Sequence, residues 1–196
     1  GNVATLGGSP PAGRGVVAHI NRAHIWGSNA NPSTIDYSAY GDPETWSGSD
    51  SGRYTIDNDD GDRVICCKSH KDRLIVWKGP NKGSIWIVDG KSPADIQKHK
   101  LITGNPMQGP NDAVIVGDDI WFKTRSGIYS LSATERYGSF AQADLTRYQK
   151  GFFRNTINLG QMARSWGAHY AHKSCVVWTL TQSGITDPDL ALCISY

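Results

Sequence analysis

The order of apolar and polar positions repeats one phrase along the chain. A polar turn leads into an apolar run that closes on an aromatic, and a second turn leads into a second apolar run. The clearest copies are His70-Lys71-Asp72-Arg73-Leu74-Ile75-Val76-Trp77-Lys78 and Val116-Gly117-Asp118-Asp119-Ile120-Trp121-Phe122-Lys123. Each is followed by a partner run, Ser84-Ile85-Trp86-Ile87-Val88 and Gly127-Ile128-Tyr129-Ser130-Leu131. Degenerate copies end at Trp26 and Trp178, so the closing aromatics Trp26, Trp77, Phe122 and Trp178 stand 51, 45 and 56 residues apart. Short strands recurring with a period of roughly 40–50 residues are what the blades of a propeller require. The expected fold is therefore all-β, a β-propeller-like array of short antiparallel blades. About thirteen strands at four per blade make roughly three blades, where closed propellers usually have four to eight, so either the ring is small or the propeller is incomplete.

Residues 1–15, with Gly7-Gly8 and Pro10-Pro11, read as an irregular lead-in, and residues 16–196 as the blades. Residues 16–19 and 23–28 predict a hairpin turning at Asn21-Arg22, and residues 34–38 a further strand. The two best blades are residues 63–89 and 113–132. Between and after them, residues 90–112 and 134–164 read as long connections, with one helical turn expected at 159–165. Three strands close the chain over residues 165–196. The acidic stretch Asp57-Asn58-Asp59-Asp60-Gly61-Asp62 reads as a solvated hairpin turn, because Asp-Gly favours positive backbone φ. A calcium loop of the EF-hand kind does not fit: Gly61 comes only four residues after Asp57, and no Glu closes the loop.

Composition supports a turn-rich β protein: 22 Gly, 9 Pro, 7 Trp and 8 Tyr in 196 residues. A net charge of +2 gives no nucleic-acid footprint, and no apolar run approaches the roughly 20 residues of a membrane span. Gly1-Asn2-Val3 begins neither a signal peptide nor a chain started at Met, which suits a processed product or part of a longer polypeptide. Cys66 and Cys67 are neighbours in one strand and point to opposite faces. Cys175 and Cys193 would face each other in the last hairpin, either as small buried hydrophobes or as a bonded pair.

Chemistry-bearing motifs are sparse. No nucleophile elbow, His-Glu-x-x-His, Walker loop or C-x-x-C occurs, so no catalytic residue, metal or cofactor is expected. His19 and His24, five apart, and His169 and His172, three apart, would each fall on opposite faces of one strand. Trp46 and Trp166 are the candidate glycan-contact aromatics, with edge packing as their other reading. Lys98, His99, Lys100, Arg147, Tyr148 and Lys150 lie in the two long connections and are the candidate contacts for partner molecules.

One stretch carries a family resemblance. Asn31-Pro32-Ser33-Thr34-Ile35-Asp36-Tyr37-Ser38 followed by Gly41-Asp42-Pro43-Glu44-Thr45-Trp46 is similar to a segment common in virion proteins of tailed bacteriophages. The Asp60-Gly61-Asp62 turn, the Asp72–Lys78 strand, Ser84-Ile85-Trp86 and Gly127-Ile128-Tyr129-Ser130-Leu131 then follow in that group's order. The chain thus resembles β-propeller proteins of phage tails, among them the nozzle or tail-tube proteins below the portal. The resemblance implies a non-enzymatic structural component of the virion tail, assembled in the host cytoplasm. It would serve tail assembly and genome delivery. Its implied partners are further copies of itself in a ring, hexameric in that group, neighbouring tail or portal-adaptor proteins, and transiently DNA. The alternative reading is a tail-tip propeller that binds host surface glycans or a receptor.

Overall fold

The computed structural model describes residues 9–196, so the first eight positions of the expected lead-in lie outside the described residues. Residues 9–14 have no regular structure, and Gly15 opens the first strand. The rest is mostly β, in four small antiparallel sheets. The first sheet holds β1 (Gly15–His19), β2 (Arg22–Trp26), β3 (Thr34–Tyr37) and β4 (Gly52–Thr55). The second holds β5 (Arg63–His70), β6 (Arg73–Gly79), β7 (Ser84–Asp89) and β8 (Gln97–Thr103). The third comprises β9 (Ala113–Val116), β10 (Asp119–Thr124) and β11 (Gly127–Ser130). The fourth comprises β12 (Gly167–Tyr170), β13 (Cys175–Leu180) and β14 (Leu190–Ser195). Every sheet is a simple meander, in which each strand pairs with the next in sequence.

Local chemistry explains the tight hairpins. The β1–β2 turn puts Ile20 and Asn21 at φ 45° and 54°, and the β5–β6 turn puts Lys71 and Asp72 at 51° and 59°. Two consecutive positive φ values give the turn whose twist matches its flanking strands. Val64 and Cys67 of β5 join the core facing the first sheet, whereas Ile65 and Cys66 face the third. A β-bulge between Val64 and Cys66 allows this change of phase within a strand whose side chains otherwise alternate.

The sheets stack face to face, with one apolar core in each gap. Trp26, Ile35, Tyr37 and Tyr54 meet Leu74, Val76 and Val88 between the first and second sheets. Ile75, Trp77 and Ile85 meet Ile120, Phe122 and Tyr129 between the second and third. Val114, Trp121 and Ile128 meet Val176, Trp178 and Leu180 between the third and fourth, with Phe153, Ile157 and Met162 filling the gap. The first strands adjoin in succession, β1 against β5, β5 against β9 and β9 against β12. Among the described residues no comparable packing joins β12 back to β1, and no closed ring of sheets is formed.

The four closing aromatics are all buried, each in the second strand of its sheet. Their facing differs, however. Trp26 and Trp77 point to the following sheet, while Phe122 and Trp178 point to the preceding one. With a side-chain period of two, a one-residue offset in the repeat is enough to reverse the face.

Two expectations about the connections are corrected. Residues 90–112 contain β8, the fourth strand of the second sheet, whose first four residues Gln97, Lys98, His99 and Lys100 are exposed. It is a polar edge strand, so it carries no alternation for the eye to find. Residues 131–164 are helical rather than irregular, with α1 (Leu131–Tyr137), α2 (Phe140–Ala143), α3 (Lys150–Asn155) and 3-10 turns at Arg147–Gln149 and Leu159–Arg164. The expected helical turn at 159–165 is thus present, and the all-β expectation narrows to mostly β. Ser130 caps α1 by accepting from the Ala133 amide, and Gly138, at φ 61°, ends it.

Candidate functional site

The densest polar cluster lies between the first two sheets. Because β1 and β2 form a hairpin, His19 and His24 sit on adjacent strands on the same face, ring centroids 5.5 Å apart. This corrects the opposite-face expectation, which treated them as one continuous strand. His19 Nδ1 lies 2.9 Å from Ser69 Oγ, and Tyr54 Oη lies 3.3 Å from His24 Nδ1. Tyr37 and Tyr54 stack at 6.0 Å beside His24. Arg22 closes the group: it donates to Ser38 O at 2.8 Å and to Asp50 Oδ1 at 2.6 Å, 5.6 Å from the centres of both the Tyr37 and Tyr40 rings. The Arg22 guanidinium and the Tyr40 amide hold the Asp50 carboxyl below its usual range.

His19, Arg22, His24, Tyr37 and Tyr54 line a small, partly open cavity of about 20 Å³, enough for one water molecule. His19 and Arg22 also line a surface groove of about 480 Å³ along the β1–β2 turn. Burial lowers the His19 pKa, and burial reinforced by His19 and Arg22 lowers that of His24 to about 3. Burial, with Cys67 and Tyr37 nearby, raises the Tyr54 phenol well above its ordinary value. At neutral pH both imidazoles are therefore neutral and Tyr54 keeps its proton, so the cluster offers no group poised to exchange a proton near pH 7. It acts as a hydrogen-bonded seam between sheets.

The acidic turn is a second seam, not a solvated hairpin. It joins β4 of the first sheet to β5 of the second. The fully buried Lys78 ammonium reaches Ile56 O at 2.8 Å and Asp60 Oδ1 at 2.7 Å, and also donates to Asp57 O. Asp62, 4% exposed, accepts from the backbone amides of Asn81, Lys82 and Gly83 at 2.7, 3.0 and 2.7 Å. Asp62→Asn keeps the shape but turns an N–H group toward those donors. The expected loss is about 1.5–3 kcal/mol of unfolding free energy, the range for hydrogen bonds to charged groups. Urea unfolding checks it, and a change below about 0.5 kcal/mol, typical of a surface substitution, would contradict it.

The sequence-selected contact residues do not converge. Lys98 donates to Thr55 O at 3.0 Å, and Lys100 pairs with Asp57 at 2.7 Å while lying 4.8 Å from the Trp86 ring centre. Both tie the edge strand β8 to the end of the first sheet. His99 Nε2 stands 3.9 Å from Asp89 Oδ2. Lys150 is half-buried and engaged with its own chain, donating to Ser126 O at 2.6 Å and Tyr129 Oη at 3.1 Å and pairing with Asp144. Arg147 and Tyr148 alone of the six are wholly outward, Tyr148 at 93% exposure with the Arg147 guanidinium 5.6 Å from its ring centre. Trp46 is half-buried in the loop after β3, and Trp166 is exposed beside β12, where its amide bonds Thr179 Oγ1 at 3.1 Å.

In the last hairpin Cys193 pairs with Val177 and Cys175 with Ser195, so the two thiols are diagonal neighbours on one face rather than directly opposite. Both cysteines are free. Among the described residues no group of three His, Cys, Asp or Glu side chains is placed to hold a metal, and no helix is long and apolar enough to cross a membrane. No family model matches the chain, and no curated protein matches it either. The phage-tail likeness rests on motif order alone.

Proposed function

We propose that this chain is a non-enzymatic, blade-built subunit of a bacteriophage tail, of the nozzle or tail-tube kind, packed against copies of itself in a ring. The observation that carries this reading is the repetition. Four meanders, each with a buried aromatic in its second strand, stack face to face with their first strands adjoining. That is how successive blades are arranged in a propeller, here without closure. The order of the phage-like motifs adds the virion context. A stack of sheets joined by three apolar cores is stiff, and its loops offer contact surface without moving parts. Ring contacts of this kind are heterologous, one surface of a copy meeting a different surface of the next.

Of the six expected contact residues, Arg147 and Tyr148 are the free ones and are assigned to the neighbouring copy or tail protein. Tyr148→Ala is expected to change stability by less than about 0.5 kcal/mol, since the ring touches little of its own chain. It should nevertheless lower the assembled fraction at a given concentration, read by sedimentation velocity beside the wild type. Antibody labelling of negatively stained virions tests the assignment itself. Label on the tail supports it, with the distance from the capsid separating tube from tip. Unlabelled virions together with a monomer in solution would overturn it and favour a glycan-binding module.

A further inference from the structure

Two arginines from separate parts of the chain share one cleft whose lining includes no acid. Arg14 stands just before β1 and Arg63 opens β5, and both line a cleft of about 220 Å³. Gln108 and Pro110, ahead of β9, and Ala163, ahead of β12, also line it. Segments leading into the first strand of all four sheets therefore meet at this cleft.

The backbone fixes both arginines. The Arg14 amide donates to Trp26 O at 2.8 Å, and Trp26 Nε1 donates to Ile65 O at 3.2 Å, which ties the Arg14 segment to the start of β5. The Arg14 stem packs over Gly27, where an added Cβ would come within 2.9 Å of the Arg14 Cβ. Arg14 Nη2 donates to Asn29 Oδ1 at 3.1 Å. Among the described residues neither guanidinium enters an ion pair. Residues 1–8 contain no Asp or Glu. Acids on the adjoining segments are engaged elsewhere: Asp62 holds the Asn81–Gly83 amides, and Asp112 pairs with Lys123. Burial, and after it the charge of Arg14, pushes the Arg63 guanidinium below its ordinary value. Both still carry their protons at neutral pH.

We infer that this cleft binds a phosphate oxyanion. Two cations brought together without a counter-charge repel each other, and an anion between them removes that cost. The two guanidinium groups together carry more donors than the two oxygens of a carboxylate accept, and they suit the tetrahedral oxygens of phosphate. The cleft has room for such a group with its hydration. The phosphate belongs either to a small free anion or to the backbone of a nucleic-acid strand. The inference stands without the tail assignment.

Calorimetric titration of the full chain with pyrophosphate tests the first source, and fluorescence anisotropy of a labelled single-stranded DNA oligonucleotide at two salt concentrations tests the second. Saturable binding of either probe is expected, weakened about tenfold or more in Arg63→Gln and in Arg14→Gln, as loss of a charge-assisted hydrogen bond implies. Arg63→Lys keeps the charge without the fork and should fall between. Arg164→Gln, whose side chain pairs with Asp187 at an exposed site, should bind like the wild type. Thermal unfolding confirms that each variant is folded. Binding of pyrophosphate alone identifies a small anion, and binding of the oligonucleotide alone identifies a nucleic-acid backbone. No saturable binding of either probe by the folded wild type overturns the inference, as does undiminished binding by a folded Arg14→Gln/Arg63→Gln double variant.

Discussion

Lys123→Met is expected to cost about 3–5 kcal/mol of unfolding free energy, the usual penalty for stranding one member of a buried ion pair. Lys123 and Asp112 are both fully buried, with Nζ 3.0 Å from Oδ1. The ammonium makes no hydrogen bond of normal alignment, even to Asp112, so it is held by this charge contact alone. Asp112 also accepts from the Gly109 amide at 2.8 Å and Ser165 Oγ at 2.9 Å, which links the segment before β9 to that before β12. Burial already pushes the Asp112 carboxyl up, and removing the cation leaves a charge that must either take a proton or open the structure. With a slope of about 2 kcal/mol per molar urea, the midpoint should fall by about 2 M. Adding Asp112→Asn removes the stranded charge; its amide oxygen accepts from Gly109 while its NH2 group faces Ser165 Oγ, which still donates to Met162 O at 2.7 Å, so more than half of the loss should return. The exposed Arg164–Asp187 pair provides the contrast, since Arg164→Gln should cost less than about 1 kcal/mol. A Lys123→Met chain within 1 kcal/mol of the wild type would show that the interior does not rely on this pair.

Acidification from pH 7 to pH 5 should remove about 2 kcal/mol of stability through His24 alone. Its folded pKa of about 3 lies below the 6.5 of an exposed imidazole. Between those values the unfolded chain takes up a proton that the folded chain refuses. The penalty is absent above pH 6.5, grows as the pH falls, and is complete below about pH 3. His19 is shifted the same way by the same burial and adds to the loss. The nearby carboxylates Asp50 and Asp57 are held below their ordinary range and so titrate at lower pH, outside this window. His24→Gln keeps a partner for the Tyr54 hydroxyl without a titrating ring. Urea unfolding at pH 7 and pH 5 should show a difference smaller by about 2 kcal/mol in that variant. Equal pH dependence in the two chains would remove His24 as the cause, and an NMR titration of its ring would show a transition near 6.5 instead of about 3.

The repeat was legible because the closing aromatics of all four sheets are core residues, and a core aromatic leaves the same mark wherever it falls. Their facing was not legible, since Trp121 and Phe122 are adjacent and either one completes the phrase. Strand β8 was invisible for the opposite reason: Gln97-Lys98-His99-Lys100 is polar on both faces, as a charged edge is. The helices after β11 are too short for a 3.6-residue period to register, although Ser130 and Gly138 bracket α1 with ordinary caps. His19 and His24 were misjudged because the face rule applies within one strand and a turn separates them. The arginine cleft was beyond sequence reasoning, since Arg14 and Arg63 are far apart in the chain and only folding puts them together.

Strand β5 serves two interiors, Val64 and Cys67 facing one and Ile65 and Cys66 the other. Losing a single residue there would exchange the contents of both at once. The same loss in β14, whose Ala191, Cys193 and Ser195 face outward, spoils only one. Tolerance to inherited change is then a matter of address within the stack. The middle sheets are walls shared by two rooms and admit little variation, while the end sheets have an outdoor side on which a lineage can accumulate novelty.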